Sequence, residues 1–153
     1  MIERYANCIE KIIGEPVQFS YLRIKGYVPL TLDQLPYVKG KIAPTIIQIR
    51  PAKDPLTTLI ATFSLTEMPG CCGVLISFHS FVSSKFANKG IGTILNKFRI
   101  EIAQFLGYTV LMCTDIATNI SQSKILKKNG WKNIHQFTNK RTTNLVNITT
   151  IDI

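Results

Sequence analysis

The chain has 153 residues, the size of one domain, which buries roughly 70 % of the surface its unfolded form exposes. Its composition, 46 % apolar and 18 % charged, is that of a globular protein, and no apolar run approaches the roughly 18 residues that would indicate a membrane span. The net charge of +9 is uneven, with ten basic and two acidic side chains in residues 83–141 against eight and seven elsewhere. That field favours a polyanionic ligand, cofactor or nucleic acid, or is simply a solvated surface.

Ile2, Tyr5, Ala6, Ile9, Ile12 and Ile13 recur at helical spacing, and Gly14 with Pro16 ends the pattern, which predicts a first helix. Glu3, Arg4 and Glu10 interrupt it in a way no signal peptide does, so the expected location is the cytoplasm. VQFSYL then reads as a strand, LTLDQLPYV as a short helix capped by Thr31, and KGKIAP as a loop. From Thr45 the pattern becomes TIIQIR, TTLIATFSLTEM and VLISFHSFV, separated by PAKDP and PGCCG, which predicts an antiparallel meander of three strands. The third, from about Gly73 to Val82, is apolar on both pleat faces and should be buried on both. Ser77, His79 and Phe81 alternate onto one of those faces.

Ile91, Ile94, Leu95, Phe98, Ile102 and Phe105 form one helical stripe closed by Gly107. YTVLMCT is a further apolar strand, DIATN a loop, and a helix runs from about Ile120 to Asn129 before Gly130. This strand, helix, strand order makes the strands at 73–82 and 108–114 parallel neighbours. WKNIHQF and NLVNITTI, joined through TNKRTT, complete the chain as two strands. The expectation is a single domain over residues 1–153, a mixed and mostly antiparallel α/β sheet in one layer with helices on both faces.

Four cysteines (Cys8, Cys71, Cys72 and Cys113) contain no CxxC pair, and His79 and His135 are too scattered to hold a metal, so reduced thiols and no metal are expected. The stretch FVSSKFANKGIGTIL, residues 81–95, sets Gly90 and Gly92 at the mouth of a helix, between Lys85, Lys89 and an amphipathic run. Glycines there let backbone N–H groups approach an anion at the positive end of a helix dipole. They equally suit a tight turn with close helix packing.

These residues resemble the GNAT superfamily of acyl-CoA-dependent N-acetyltransferases. The similarity spans roughly residues 45–137. The family's loop reads Arg/Gln-x-x-Gly-x-Gly/Ala after a strand ending in Val, and here Val82 stands eight residues before Gly90, with Ala87 at the Arg/Gln position. NISQSKILKKNGW, residues 119–131, is similar to its second pattern, with Asn119, Lys128, Gly130 and Trp131 at matching offsets. The resemblance implies that Asn88, Lys89, Gly90, Ile91, Gly92 and Thr93 hold the CoA diphosphate, with Lys85 or Lys89 in place of the missing Arg or Gln. It implies that the central parallel pair splays to admit the pantetheine arm beside Phe81 and Val82. Asn119 would touch that arm, or would cap a helix with Gln122. The tyrosine that relatives place seven residues after the Asn, to protonate the departing thiolate, is here Leu126, which has no proton to give.

His79 is a candidate general base or a hydrogen-bonded core histidine. Asp115 and Glu67 are the other candidates, or solvated loop acids. Cys113 reads as packing rather than a covalent relay. Lys140 and Arg141 lie at a predicted hairpin tip, as acceptor contacts or as ordinary surface charge. The implied activity is transfer of an acetyl group from acetyl-CoA to an amine on a protein or small molecule, by direct attack in a ternary complex, from a monomer or homodimer without a membrane partner. Two alternatives stand beside it: a GNAT-like enzyme acting on nucleic acid, with salt-dependent binding, and a non-catalytic module that binds acyl-CoA or a partner protein.

Overall fold

The computed structural model describes residues 1–23, 26–38 and 44–153. Helix α1 (Ile2–Ile13) buries Tyr5 and Ile9 and stops where predicted: Gly14, at φ 81°, donates its N–H to the Glu10 carbonyl. Strands β1 (Val17–Arg23) and β2 (Gly26–Pro29) follow, the second unforeseen. The segment expected as a helix capped by Thr31 is a 3-10 helix over Leu32–Val38. Thr31 there donates its hydroxyl to Asp33 and its N–H to the Gln34 side chain. The KGKIAP loop lies, apart from Pro44, outside the described residues.

The meander is present as β3 (Thr45–Pro51), β4 (Ala61–Met68) and β5 (Cys71–Val82). Strand β4 starts later than its sequence suggests because Asp54 draws Thr57 and Thr58 into a turn. Helix α2 (Ile91–Phe105), strand β6 (Val110–Ile116), helix α3 (Ile120–Lys128), β7 (Lys132–Thr138) and β8 (Leu145–Asp152) complete the chain. Strand β6 runs on through Asp115 and Ile116, into what the sequence suggested was loop. The eight strands make one sheet in the order β2-β1-β3-β4-β5-β6-β8-β7, antiparallel except for the parallel pair β5–β6.

The core centres on Phe98 of α2. Its ring lies 4.8 Å from Tyr5 of α1, 5.2 Å from Phe19 of β1 and 6.0 Å from Phe63 of β4. Strand register carries this face across the sheet: Phe19 opposes Ile49, Phe63 opposes Ile47, Leu65 opposes Ser77, and Ser77 is level with Cys113. Ser77 and Asp115 on that face bond Arg99 of α2 and Ser123 of α3, so all three α-helices lean on it. The stripe of α2 differs from the sequence pattern at two places. Phe105 is 52 % exposed because Leu106, at the helix end, takes the inward position. Arg99 and Asn96, both polar, are buried.

Replacing Phe98 by Ala removes all three ring contacts and leaves a cavity, so Phe98→Ala should lower unfolding stability by about 3–5 kcal/mol. Denaturant titration with an unchanged m value checks this.

Candidate functional site

The parallel ladder between β5 and β6 is short. It runs from Val74, level with Val110, to Ser77, level with Cys113, and ends there although β5 continues to Val82 and β6 to Ile116. Two causes pull the strands apart. On β5, Phe78 opposes Ser64 and Phe81 opposes Thr62, so His79 and Ser80 together face Phe63 alone. This is a bulge, and His79 carries it at φ 50°. On the other side, β6 stays paired with β8 up to Ile116. Beyond Ser77 the edge of β5 therefore faces an opening, with its outward N–H and C=O groups outside the ladder. The bulge also overturns two expectations. Phe81 shares a face with Phe78 and not with Ser77, and β5 is buried at Leu75 and Ser77 but exposed from His79 to Phe81.

At the foot of the opening lies a cavity of about 180 Å³. His79, Arg99, Cys113, Asp115 and Asn119 line it together with Ser77. His79 is exposed, its ring 4.8 Å from that of Phe78. Asp115 is buried and its oxygens are engaged, accepting from Ser123 Oγ at 2.8 Å, Asn147 Nδ2 at 3.1 Å and Thr149 Oγ1 at 3.1 Å. Burial pushes the Cys113 thiol up to about 12, an effect partly offset by the Arg99 charge. Arg99 is 1 % exposed and donates Nη1 to Ser77 Oγ at 3.0 Å. In the sequence it counts only among the basic residues of 83–141, because on a helical wheel Arg99 falls at the border of the apolar stripe rather than inside it.

A second cavity, of about 290 Å³, adjoins the first through Ser80, Asn119 and Gln122, which line both. Phe81, Val82, Asn88, Gly90, Ile91, Gly92 and Thr93 line this one as well. Phe86 is buried in its wall, and Ala87 and Asn88 lead to Gly90, the N-cap of α2 at φ 85°. No side chain caps α2, and among the described residues none of the N–H groups of Asn88, Lys89, Gly90, Ile91 and Gly92 has a protein acceptor. The two glycines answer to different constraints. Gly90 needs its positive φ, whereas a Cβ on Gly92 would stand 3.1 Å from the Ile125 side chain of α3, so its bareness lets the two helices approach.

Lys89 does not line the cavity. Its Nζ lies 5.9 Å from the centre of the Phe86 ring, and that of Lys85 lies at 5.5 Å, so both cations flank the wall where the loop lacks its Arg or Gln. Asn119 caps α3, its Oδ1 accepting from the Gln122 N–H at 3.2 Å, while it also faces both cavities. Leu126 is buried in the core. Glu67 is remote, accepting from the Tyr108 hydroxyl at 2.8 Å. Lys140 and Arg141 are exposed on the β7–β8 turn and line neither cavity. Among the described residues no cluster of His, Cys, Asp and Glu could hold a metal.

No family model matches the sequence, and no curated protein matches it. Solved structures do resemble this one. The ribosomal-protein-S18-alanine N-acetyltransferase from Escherichia coli aligns over 90 % of this chain and 94 % of its own, at a TM-score of 0.64 and 12 % identity. An acetyltransferase of the GNAT family from Streptococcus pneumoniae aligns over 83 % of this chain and 79 % of its own, at 0.61 and 14 %. A proposed acetyltransferase from Salmonella typhimurium, solved with its cofactor acetyl-CoA, aligns over 72 % and 65 %, at 0.59 and 12 %. With its parallel pair at the centre of a mostly antiparallel sheet, the chain has the fold of the GNAT acetyltransferases.

Proposed function

We propose that the protein is an N-acetyltransferase that uses acetyl-CoA. The observation that carries this reading is the run of five acceptor-free N–H groups from Asn88 to Gly92, at the uncapped start of α2 and beside the open edge of β5. Such groups, with the positive end of the helix dipole, suit a diphosphate. An extended arm carrying amides can then lie along β5 past Val82 and Phe81 as a substitute strand, using the backbone groups that β6 leaves free.

In this reading the thioester reaches the foot of the opening beside His79. The amine lone pair attacks the carbonyl carbon, a strand N–H holds the developing oxyanion, and His79 takes the proton the amine loses. The C–N bond forms, the C–S bond breaks, and the thiolate leaves. Asp115 is poorly suited as the base because both its oxygens already accept hydrogen bonds. With Leu126 in place of a proton donor, the thiolate takes its proton from water, which a leaving group of pKa about 8.5 tolerates. The neighbour solved with acetyl-CoA supports the choice of cofactor.

Calorimetry with CoA should give one site, and CoA thiol release should rise with some member of an amine panel. Binding without release on any amine would point to a non-catalytic acyl-CoA module, and no binding would remove the reading. Gly90→Glu, which sets a carboxylate against the diphosphate, should abolish CoA binding in a folded protein. Gly90→Ala, strained at the same φ but uncharged, should bind measurably.

His79→Ala should lower turnover about 100-fold or more with CoA affinity retained, whereas unchanged turnover would exclude His79 as the base. A cysteine relay is disfavoured because a thiol raised to about 12 is neutral at all physiological pH. At pH 7.5 a maleimide should modify Cys8, Cys71 and Cys72, which are exposed, and leave Cys113 until the protein is unfolded. Mass spectrometry of the native and denatured protein reads this directly.

A further inference from the structure

Arg99 is buried without a counter-ion among the described residues. It lies on α2 with its guanidinium in the wall of the lower cavity, and among the described residues Ser77 Oγ is its one hydrogen-bond partner. Its Nε has none. All nine carboxylate side chains of the chain fall among the described residues, and the ion pair found there joins Arg4 to Glu101. Asp115 lines the same cavity, but its oxygens go to Ser123, Asn147 and Thr149. Burial opposes the charge and lowers the affinity of Arg99 for its proton, yet a guanidinium stays protonated in proteins. A charge left buried and unpaired costs several kcal/mol, which a protein tolerates readily when the missing partner arrives with a ligand.

The position of Arg99 says which part of a ligand that is. Ser77 is the last residue of β5 paired to β6, so the guanidinium sits at the vertex where the opening closes. An arm anchored at the α2 N-terminus and laid along β5 ends there, and what it carries at its end is the acyl group. An acetyl methyl has no acceptor to offer the cation and would leave it unpaired. A carboxylate would supply the missing counter-charge and share the guanidinium's fork of donors.

We propose that the lower cavity is an acyl pocket for a group ending in a carboxylate, of the malonyl or succinyl class, with Arg99 as its partner. This rests on the CoA reading of the α2 loop and keeps its transfer chemistry, but replaces acetyl by a carboxylated acyl group as the preferred cargo. The bond changes are unaltered: the acyl C–S bond breaks, the C–N bond to the amine forms, the amine proton goes to His79, and the distal carboxylate stays ionised against Arg99.

The test is calorimetry of the full chain with free CoA, acetyl-CoA, malonyl-CoA and succinyl-CoA, with Arg99→Gln and Arg99→Lys beside the wild type. The wild type should bind one of the carboxylated thioesters about tenfold or more tighter than acetyl-CoA, the scale of a charge-assisted hydrogen bond. Arg99→Gln should erase that ratio, and Arg99→Lys should keep part of it. Equal affinities, or a preference for acetyl-CoA in the wild type, overturn the proposal without any variant having to fold. A carboxylate preference that survives in folded Arg99→Gln overturns the role of Arg99. Binding of free CoA separates the two readings: if CoA binds and the thioesters do not differ, only the acyl assignment falls, and if CoA does not bind, both fall.

Discussion

The site depends on the place where one strand stops pairing. Four residues of β5 are held by β6, from Val74 to Ser77, and the remainder of the strand is not. In a packed interior this would be costly, because backbone N–H and C=O groups need partners. Here the unpaired edge faces a cavity, so solvent or an extended ligand can meet it. The opening is produced by the His79 bulge, whose backbone occupies a region that L-residues enter at a cost of about 1–3 kcal/mol. The ladder to β4 on both sides of the bulge, at Phe78–Ser64 and Phe81–Thr62, holds that conformation in place.

Helix α2 brings the electrostatics to this opening. Its uncapped first turn presents N–H groups at one end of the cavity pair, and Arg99 stands eight residues on, about 12 Å along the helix axis. One rigid element thus offers positive potential at two points of a single path, joined by Ser80, Asn119 and Gln122. The bare Cα of Gly92 lets α3 approach closely enough for Asn119 and Gln122 to form the far wall. The two glycines that stand out in the sequence therefore serve the same path in different ways, one through backbone conformation and the other through helix spacing.

Much of this was legible because it is local. Periodicity alone marks α1, the β3–β5 meander, α2, β6, α3 and the final strand pair, and Gly14, Gly107 and Gly130 mark where helices stop. The loop at Gly90 was legible for the same reason: backbone conformation at a helix start leaves its trace in neighbouring residues. The features that escaped are tertiary. Strand β2 is four residues long and owes its existence to pairing with β1. The bulge has no glycine or proline to announce it, since a histidine bears the positive φ. Arg99 sits one residue beyond Phe98, at the border of the apolar stripe, and on a helical wheel that border reads as solvent. Only the opened strand pair, which no local pattern specifies, turns it into the floor of a cavity.

Asp115 shows how a residue picked for its chemistry can matter for geometry instead. It lies two residues past Cys113, the last position of β6 level with β5. Its carboxylate binds Ser123 of α3 and, across the antiparallel ladder, Asn147 and Thr149 of β8. Each bond draws the freed end of β6 away from β5. A strand edge left open beside another would otherwise tend to close up, because pairing satisfies both. With β5 bent by its bulge and β6 tied to β8 and α3, neither strand can reach the other without breaking bonds already made. The opening is thus present before any ligand arrives, so a ligand need not spend binding energy on separating the strands.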